Sequence, residues 1–199
     1  MPHIPPIDLS TLPEFAELDS MYRTVYGFVP NGARTMAHRP ALLRGFLALR
    51  NGVMGADSGT VPLELKNLIA NLASKTAGCR YCQAHTVYAA ERAGSDRARL
   101  EAVWEYRSST LFTDAEKVAL DLAVAAASVP SAVTPDLMDE VRRHWDDGEI
   151  AEIMGVVALF GFLNRWNDSL ATELEAPAAA SAADLLGPAG WVIGKHGGG

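Results

Sequence analysis

At 199 residues the chain is long enough to bury a substantial core as one domain, and nothing in it demands two independent folds. A formal charge of -7 and a pI near 5.2 argue against nucleic acid as a partner, because phosphate binding needs clustered Lys and Arg; the only basic run, Arg142-Arg143-His144, lies among acids and reads as a solvated helix face. A composition that is 49% hydrophobic and 21% charged, with mean hydropathy +0.06, is greasy for a monomer and points to a homo-oligomer with a buried apolar interface.

The opening Met1-Pro2-His3-Ile4-Pro5-Pro6 has neither a basic nor an apolar signal region, so no secretory leader is expected. A Pro-rich lead-in gives way near Ser10 to a predicted helix through about Tyr26, with Phe15, Leu18, Tyr22 and Val25 as its stripe and Gly27 as its stop. Asn31 caps a short turn to His38, and Pro40 opens a second helix carrying Leu42, Leu43, Phe46 and Leu47. The Gly- and Ser-containing stretch from Met54 to Thr60 separates an N-terminal helical arm, 1–55, from a core, 56–175.

Within the core, Leu65, Leu68, Ile69, Leu72 and Ala73 recur at helical spacing after Pro62 and stop near Gly78. The next helix should run from about Arg80 to Ala93 and end at Gly94. Thr113-Asp114-Ala115-Glu116 has capping-box spacing for a further helix to Ser128, Thr134-Pro135 starts another, and Asp147 heads a long apolar helix continuing towards Leu174. That apolar run, Ile150 to Leu163, is shorter than the roughly 20 residues needed to span a bilayer, so it is expected as a buried helix and no membrane is expected as a partner. Residues 176–199, rich in Ala, Pro and Gly, read as a loosely ordered tail. No alternating run is long enough for a sheet, and the predicted fold class is all-α.

Both cysteines stand in Gly78-Cys79-Arg80-Tyr81-Cys82-Gln83-Ala84-His85-Thr86, with Cys79 near a helix start and Cys82 and His85 following at intervals of three on one face. A thiol reacts as the thiolate, and a helix N-terminus, Arg80 and an imidazole one turn away all favour it. A thiolate that attacks a peroxide becomes a sulfenic acid, which a second thiol one turn away condenses into a disulfide. Two cysteines in so long a chain are no secreted disulfide framework, which suggests a cytoplasmic redox site. Cys79, Cys82 and His85 could instead supply three zinc ligands, but none of His3, His38, His144 and His196 completes a recognisable pair; reduced core cysteines are the bland alternative.

Leu65-Lys66-Asn67-Leu68-Ile69-Ala70-Asn71-Leu72-Ala73-Ser74 with the Cys-x-x-Cys stretch, and later Asp146-Asp147-Gly148-Glu149-Ile150 and Asn164-Arg165-Trp166-Asn167-Asp168, resemble the AhpD-like alkylhydroperoxidases of the carboxymuconolactone decarboxylase superfamily, in their peroxidase-related branch. The resemblance covers roughly residues 40–175. It implies an oligomeric AhpD-like helical bundle that reduces alkyl hydroperoxides without a cofactor or metal, Cys82 being oxidised, Cys79 resolving it, His85 relaying protons, and an external thiol or protein donor restoring the dithiol. Helix-terminus electrostatics alone would place the thiolate at Cys79. The family's relay Glu stands twelve residues before the first cysteine, where this chain has Asn67; Glu64, one turn earlier, is the candidate replacement, or else a solvated first-turn acid. The spacing from Cys82 to His85 is three, where many members have four. A redox-sensing or metal-binding oligomer, and decarboxylase chemistry surviving loss of Cys82, are the competing readings.

Overall fold

Apolar spacing and the punctuation between segments carry through to a chain of helices: the computed structural model describes residues 1–198, with no strand among them. Two short 3-10 turns lead into α1 (Ala16–Val25), α2 (Asn31–Met36) and α3 (Pro40–Met54). The core follows as α4 (Leu63–Thr76), α5 (Arg80–Arg92), α6 (Arg97–Glu101), α7 (Asp114–Ala127), α8 (Pro135–Val141) and α9 (Asp147–Ser169). A last helix, α10, spans Ala176–Leu185. Local chemistry sets the ends. Thr113 and Glu116 form the expected capping box on α7, and Asp146 with Glu149 forms a second on α9, each satisfying backbone N–H groups that a helix start leaves free. Gly78 and Gly94 end α4 and α5 at φ 78° and 82°, where a side chain would be strained.

α4 is the axis of the molecule. Every residue from Leu65 to Ser74 is buried, because α5, α7 and α9 pack around it. Asn71 ties it to α5, donating to the Gln83 carbonyl at 3.1 Å and to Thr86 Oγ1 at 2.9 Å, while accepting from Trp104 Nε1 at 2.9 Å. A second apolar cluster, including Leu9, Phe15, Tyr22, Met36, Leu43 and Phe46, joins the N-terminal arm to α9 through Leu159. The arm is thereby one wall of the interior.

Two segments differ from the sequence expectation. α9 stops at Ser169 rather than running to Leu174, because Ala171 adopts a left-handed φ of 46° and the chain turns back, Thr172 N–H donating to the Asn167 carbonyl. Residues 176–198 are not a loose tail. Ala178 and Ala182 are small enough to bring α10 close against α5, and Leu185, Leu186 and Trp191 are buried behind it. Alanine-rich composition looks like a linker but is also the best helix-forming composition once a partner surface exists. Gly199, the last residue of the expected tail, lies outside the described residues. Among the described residues no helix is long and apolar enough to cross a membrane.

Candidate active site

The turn at Gly78 delivers Cys79 to the N-cap of α5, where its Sγ accepts the Cys82 backbone N–H at 3.4 Å. Both cysteines are free thiols and both are buried. Only Cys82 opens onto a cavity of about 110 Å³ between the arm, α5 and α9; Cys79 does not line it. The cavity is mostly apolar, with Tyr22, Phe46, Leu159 and Phe160 among its walls, and its polar lining includes Arg50, Asn67, His85, Thr86 and Asn167.

His85 shares that cavity and is held from three sides. Tyr81 stacks on its ring at 4.3 Å between centroids, Phe28 meets it edge-on at 5.7 Å, and its Nε2 lies 2.6 Å from Glu175 Oε2. A carboxylate only accepts, so Nε2 carries the proton towards Glu175 and Nδ1 keeps the lone pair. Glu175 is itself fixed: its Oε1 accepts from Tyr81 Oη at 3.1 Å and from the Asn31 N–H in the first turn of α2, and Tyr81 Oη accepts from Gly32 N–H at 3.1 Å. Burial alone would raise the Glu175 carboxyl, but His85 and the Asn31 N–H outweigh it and hold it below the usual carboxylate value.

The Cys82 thiol goes the other way. Burial pushes it well above an ordinary thiol, the neighbouring Cys79 adds to this, and the Asn167 amide, 3.6 Å from Sγ, opposes it. Burial thus favours the neutral thiol at Cys82. His85 is the imidazole on the same cavity. Asn167 reaches Cys82 because residue 32 is glycine: a Cβ there would stand 2.7 Å from Asn167 Oδ1.

Cys82 and His85 line one cavity, and Cys79 caps α5 one turn from Cys82 without lining it. Glu64 does not line the cavity either. Its carboxylate pairs with Arg99 at 3.3 Å, and Arg99 also binds Glu116. Asn67 does face the cavity, but as an amide, and the carboxylate paired with His85 is Glu175. Nothing local marks Glu175, which lies 90 residues from His85 and only becomes its partner when α10 docks. The metal-ligand types that converge are Cys79, Asp168 and His196, within 4.8 Å of one another, rather than Cys79, Cys82 and His85. Lys195 Nζ already occupies Asp168 Oδ2 at 2.8 Å, which opposes a divalent charge there.

Fold and site together define an all-helical protein with a buried Cys-x-x-Cys dithiol served by a histidine–carboxylate pair. Residues 40–125 match the carboxymuconolactone decarboxylase family, and the chain belongs to the AhpD/carboxymuconolactone decarboxylase superfamily. It is 31% identical to the debrominase Bmp8, over 92% of this chain and 96% of that one at a TM-score of 0.84, a cysteine-to-alanine variant of which has been solved in complex with 2,3,4-tribromopyrrole. The AhpD-core peroxidase-related protein of Ralstonia eutropha JMP134 shares the fold at 22% identity, a TM-score of 0.79 and coverage of 89% and 94% of the two chains. The uncharacterized protein YnjA of Escherichia coli (strain K12) is 30% identical over 107 residues, 53% of this chain and 58% of YnjA, so the match spans little more than half of that relative.

Proposed function

We propose that the protein is a dithiol reductase of small apolar hydroperoxides. The observation that carries this reading is that Cys82 and His85, but not Cys79, line an apolar cavity, with His85 backed by a buried carboxylate. In the proposed cycle His85 Nδ1 takes the Cys82 proton and Glu175 stabilises the imidazolium. The thiolate attacks the outer peroxide oxygen, the O–O bond breaks, and His85 returns the proton to the departing alkoxide. Cys82 is left as a sulfenic acid, Cys79 displaces hydroxide from it to form the disulfide, and an external thiol or protein donor restores both thiols.

A second reading is favoured by the 31% identity to Bmp8 and by the aromatic residues around the cavity. In it the Cys82 thiolate abstracts halogen from a halogenated aromatic ring, His85 protonates the ring carbon, and Cys79 displaces halide to close the same disulfide. Cytoplasmic placement and self-association belong to either version, with Met154 and Phe162, exposed on α9, as apolar groups that a second copy would cover; sedimentation velocity checks the latter.

The deciding experiment gives the reduced protein cumene hydroperoxide or a bromopyrrole in parallel, counting thiols and products for wild type and Cys82→Ser. Consumption of hydroperoxide with loss of two thiols, absent in Cys82→Ser, supports the first reading. Bromide release without peroxide consumption replaces it with the second. A decarboxylase or a metal-binding protein would instead show activity indifferent to Cys82→Ser, or no turnover and stoichiometric metal.

A further inference from the structure

We propose that His196 is the base for the other cysteine: it accepts the Cys79 proton when Cys79 attacks oxidised Cys82, with Asp168 stabilising the imidazolium. The inference rests on the dithiol cycle above, though not on the identity of the oxidant.

His196 is fully buried, and its Nδ1 lies 2.7 Å from the Thr172 carbonyl. A carbonyl only accepts, so Nδ1 carries the proton and Nε2 the lone pair. That Nε2 has no hydrogen-bond partner. A buried acceptor left without a donor is costly, so the position favours a group with a proton to give. The polar and aromatic groups around the ring are these. Asp168 Oδ1, at the end of α9, stands 3.6 Å from Nε2, while Asp168 Oδ2 is held by Lys195. Cys79 Sγ, at the start of α5, lies within 4.8 Å of both the ring and the carboxylate, and the Tyr81 ring sits tilted at 5.9 Å. Of these, the Cys79 S–H is the group with a proton to give.

Other features suit the role. Burial lowers the His196 imidazole from its ordinary value, against the pull of the Thr172 carbonyl and Asp168, so the ring is a neutral base at neutral pH. The Cys82 N–H that Sγ accepts would stabilise the thiolate once the proton leaves. Each thiol then has its own imidazole and carboxylate: His85 and Glu175 for Cys82, His196 and Asp168 for Cys79. This also gives the docked C-terminal segment a function, since it carries His196 to the dithiol, with Leu174 N–H donating to the His196 carbonyl at 2.9 Å.

The resolving step balances as follows. The Cys79 S–H proton passes to His196 Nε2, the S–S bond forms as the S–O bond of the Cys82 sulfenic acid breaks, and hydroxide leaves and is protonated by solvent. The imidazolium then returns its proton to solvent, so that the net products are the disulfide and one water.

The test replaces peroxide with 2,2′-dithiodipyridine, a small neutral disulfide that the dithiol reduces by two electrons. Attack by Cys82 releases one thiopyridone and leaves a mixed disulfide; attack by Cys79 releases the second and closes the internal disulfide. Two absorbance phases are therefore read on the full chain. In His196→Gln the first phase should keep its wild-type rate and the second should slow by about 100-fold or more at neutral pH, the deficit shrinking as pH rises and solvent base replaces the imidazole. Asp168→Asn, altered at a partly exposed position, should show a smaller slowing of the same pH signature, and decides the matter if His196→Gln does not fold. A second phase at the wild-type rate in the variant that folds, or one slowed equally at every pH, overturns the proposal, as does stoichiometric zinc on reduced wild type that His196→Gln loses. Release of only one thiopyridone by wild type sinks the dithiol cycle itself.

Discussion

Two carboxylates in this protein sit in the interior against a basic partner about 90 residues away in sequence, and they serve different ends. Glu175 holds His85 beside the cavity. Glu152, on α9, holds Lys66 of α4 at 3.0 Å, both side chains largely shielded, and accepts in addition from the Thr60 and Val61 N–H groups. Lys66 Nζ is further satisfied by Ser58 Oγ at 2.8 Å and the Val53 carbonyl at 3.2 Å, so every donor direction is filled by protein. Gly59, at φ 133°, makes room for this: a Cβ there would stand 2.0 Å from the Glu152 carboxyl carbon. The Lys66 pair closes the loop between arm and core, whereas the His85 pair stands on a cavity that a thiol also lines. Burial and charge pairing alone do not mark a functional site; a cavity shared with a thiol sets the His85 pair apart.

The comparison can be broken most completely at Cys82. Cys82→Ser should abolish turnover while leaving the melting temperature near that of wild type, since the side chains are close in size; retained turnover would remove the site from the proposed chemistry. Lys66→Met should do the reverse. It leaves Glu152 buried and unpaired, a change that costs about 3–5 kcal/mol, seen as a lower urea midpoint with turnover per folded molecule little altered. Glu175→Gln sits between, since the amide still accepts from Asn31 and Tyr81 but no longer stabilises an imidazolium. Turnover should fall by about 100-fold with a small loss of stability, and a large loss of stability with unchanged turnover would make Glu175 a packing group like Glu152.

Acid should sharpen the same contrast. Both carboxyls are held below their ordinary values in the folded protein, Glu152 against its burial by the Thr60 N–H, Lys66 and the Val61 N–H, so each contributes stability present above the unfolded carboxylate range, about 4.3, and lost as pH falls through the lower folded values. Urea midpoints measured down through that range should drop less steeply in Glu175→Gln than in wild type. The smallest effect is expected from Glu64→Gln, because Arg99 keeps Glu116: no more than about 0.5 kcal/mol and no change in turnover. A clear loss of turnover there would restore Glu64 to the proton relay.

Much of the site could be read before folding because it is local. The dithiol and His85 lie within seven residues, and the glycines at 78 and 94 bracket the helix that presents them. The same locality misled at Glu64, the nearest acid along the helix, which turns away to Arg99. It also hid Glu175 and His196, which reach His85 and Cys79 respectively only because residues 172–196 fold back over α5.

The amino-acid order by itself determined the all-α class, most helix boundaries and the thiol pair, since helix period, caps and stops act over a few residues and need no partner. Only the tertiary structure decided which thiol opens to a cavity, which acid serves His85 and where His196 lies. The first follows from the arm packing over α5 and α9, the other two from a docked alanine-rich helix, and docking depends on the shape and burial of surfaces brought together from opposite ends of the chain.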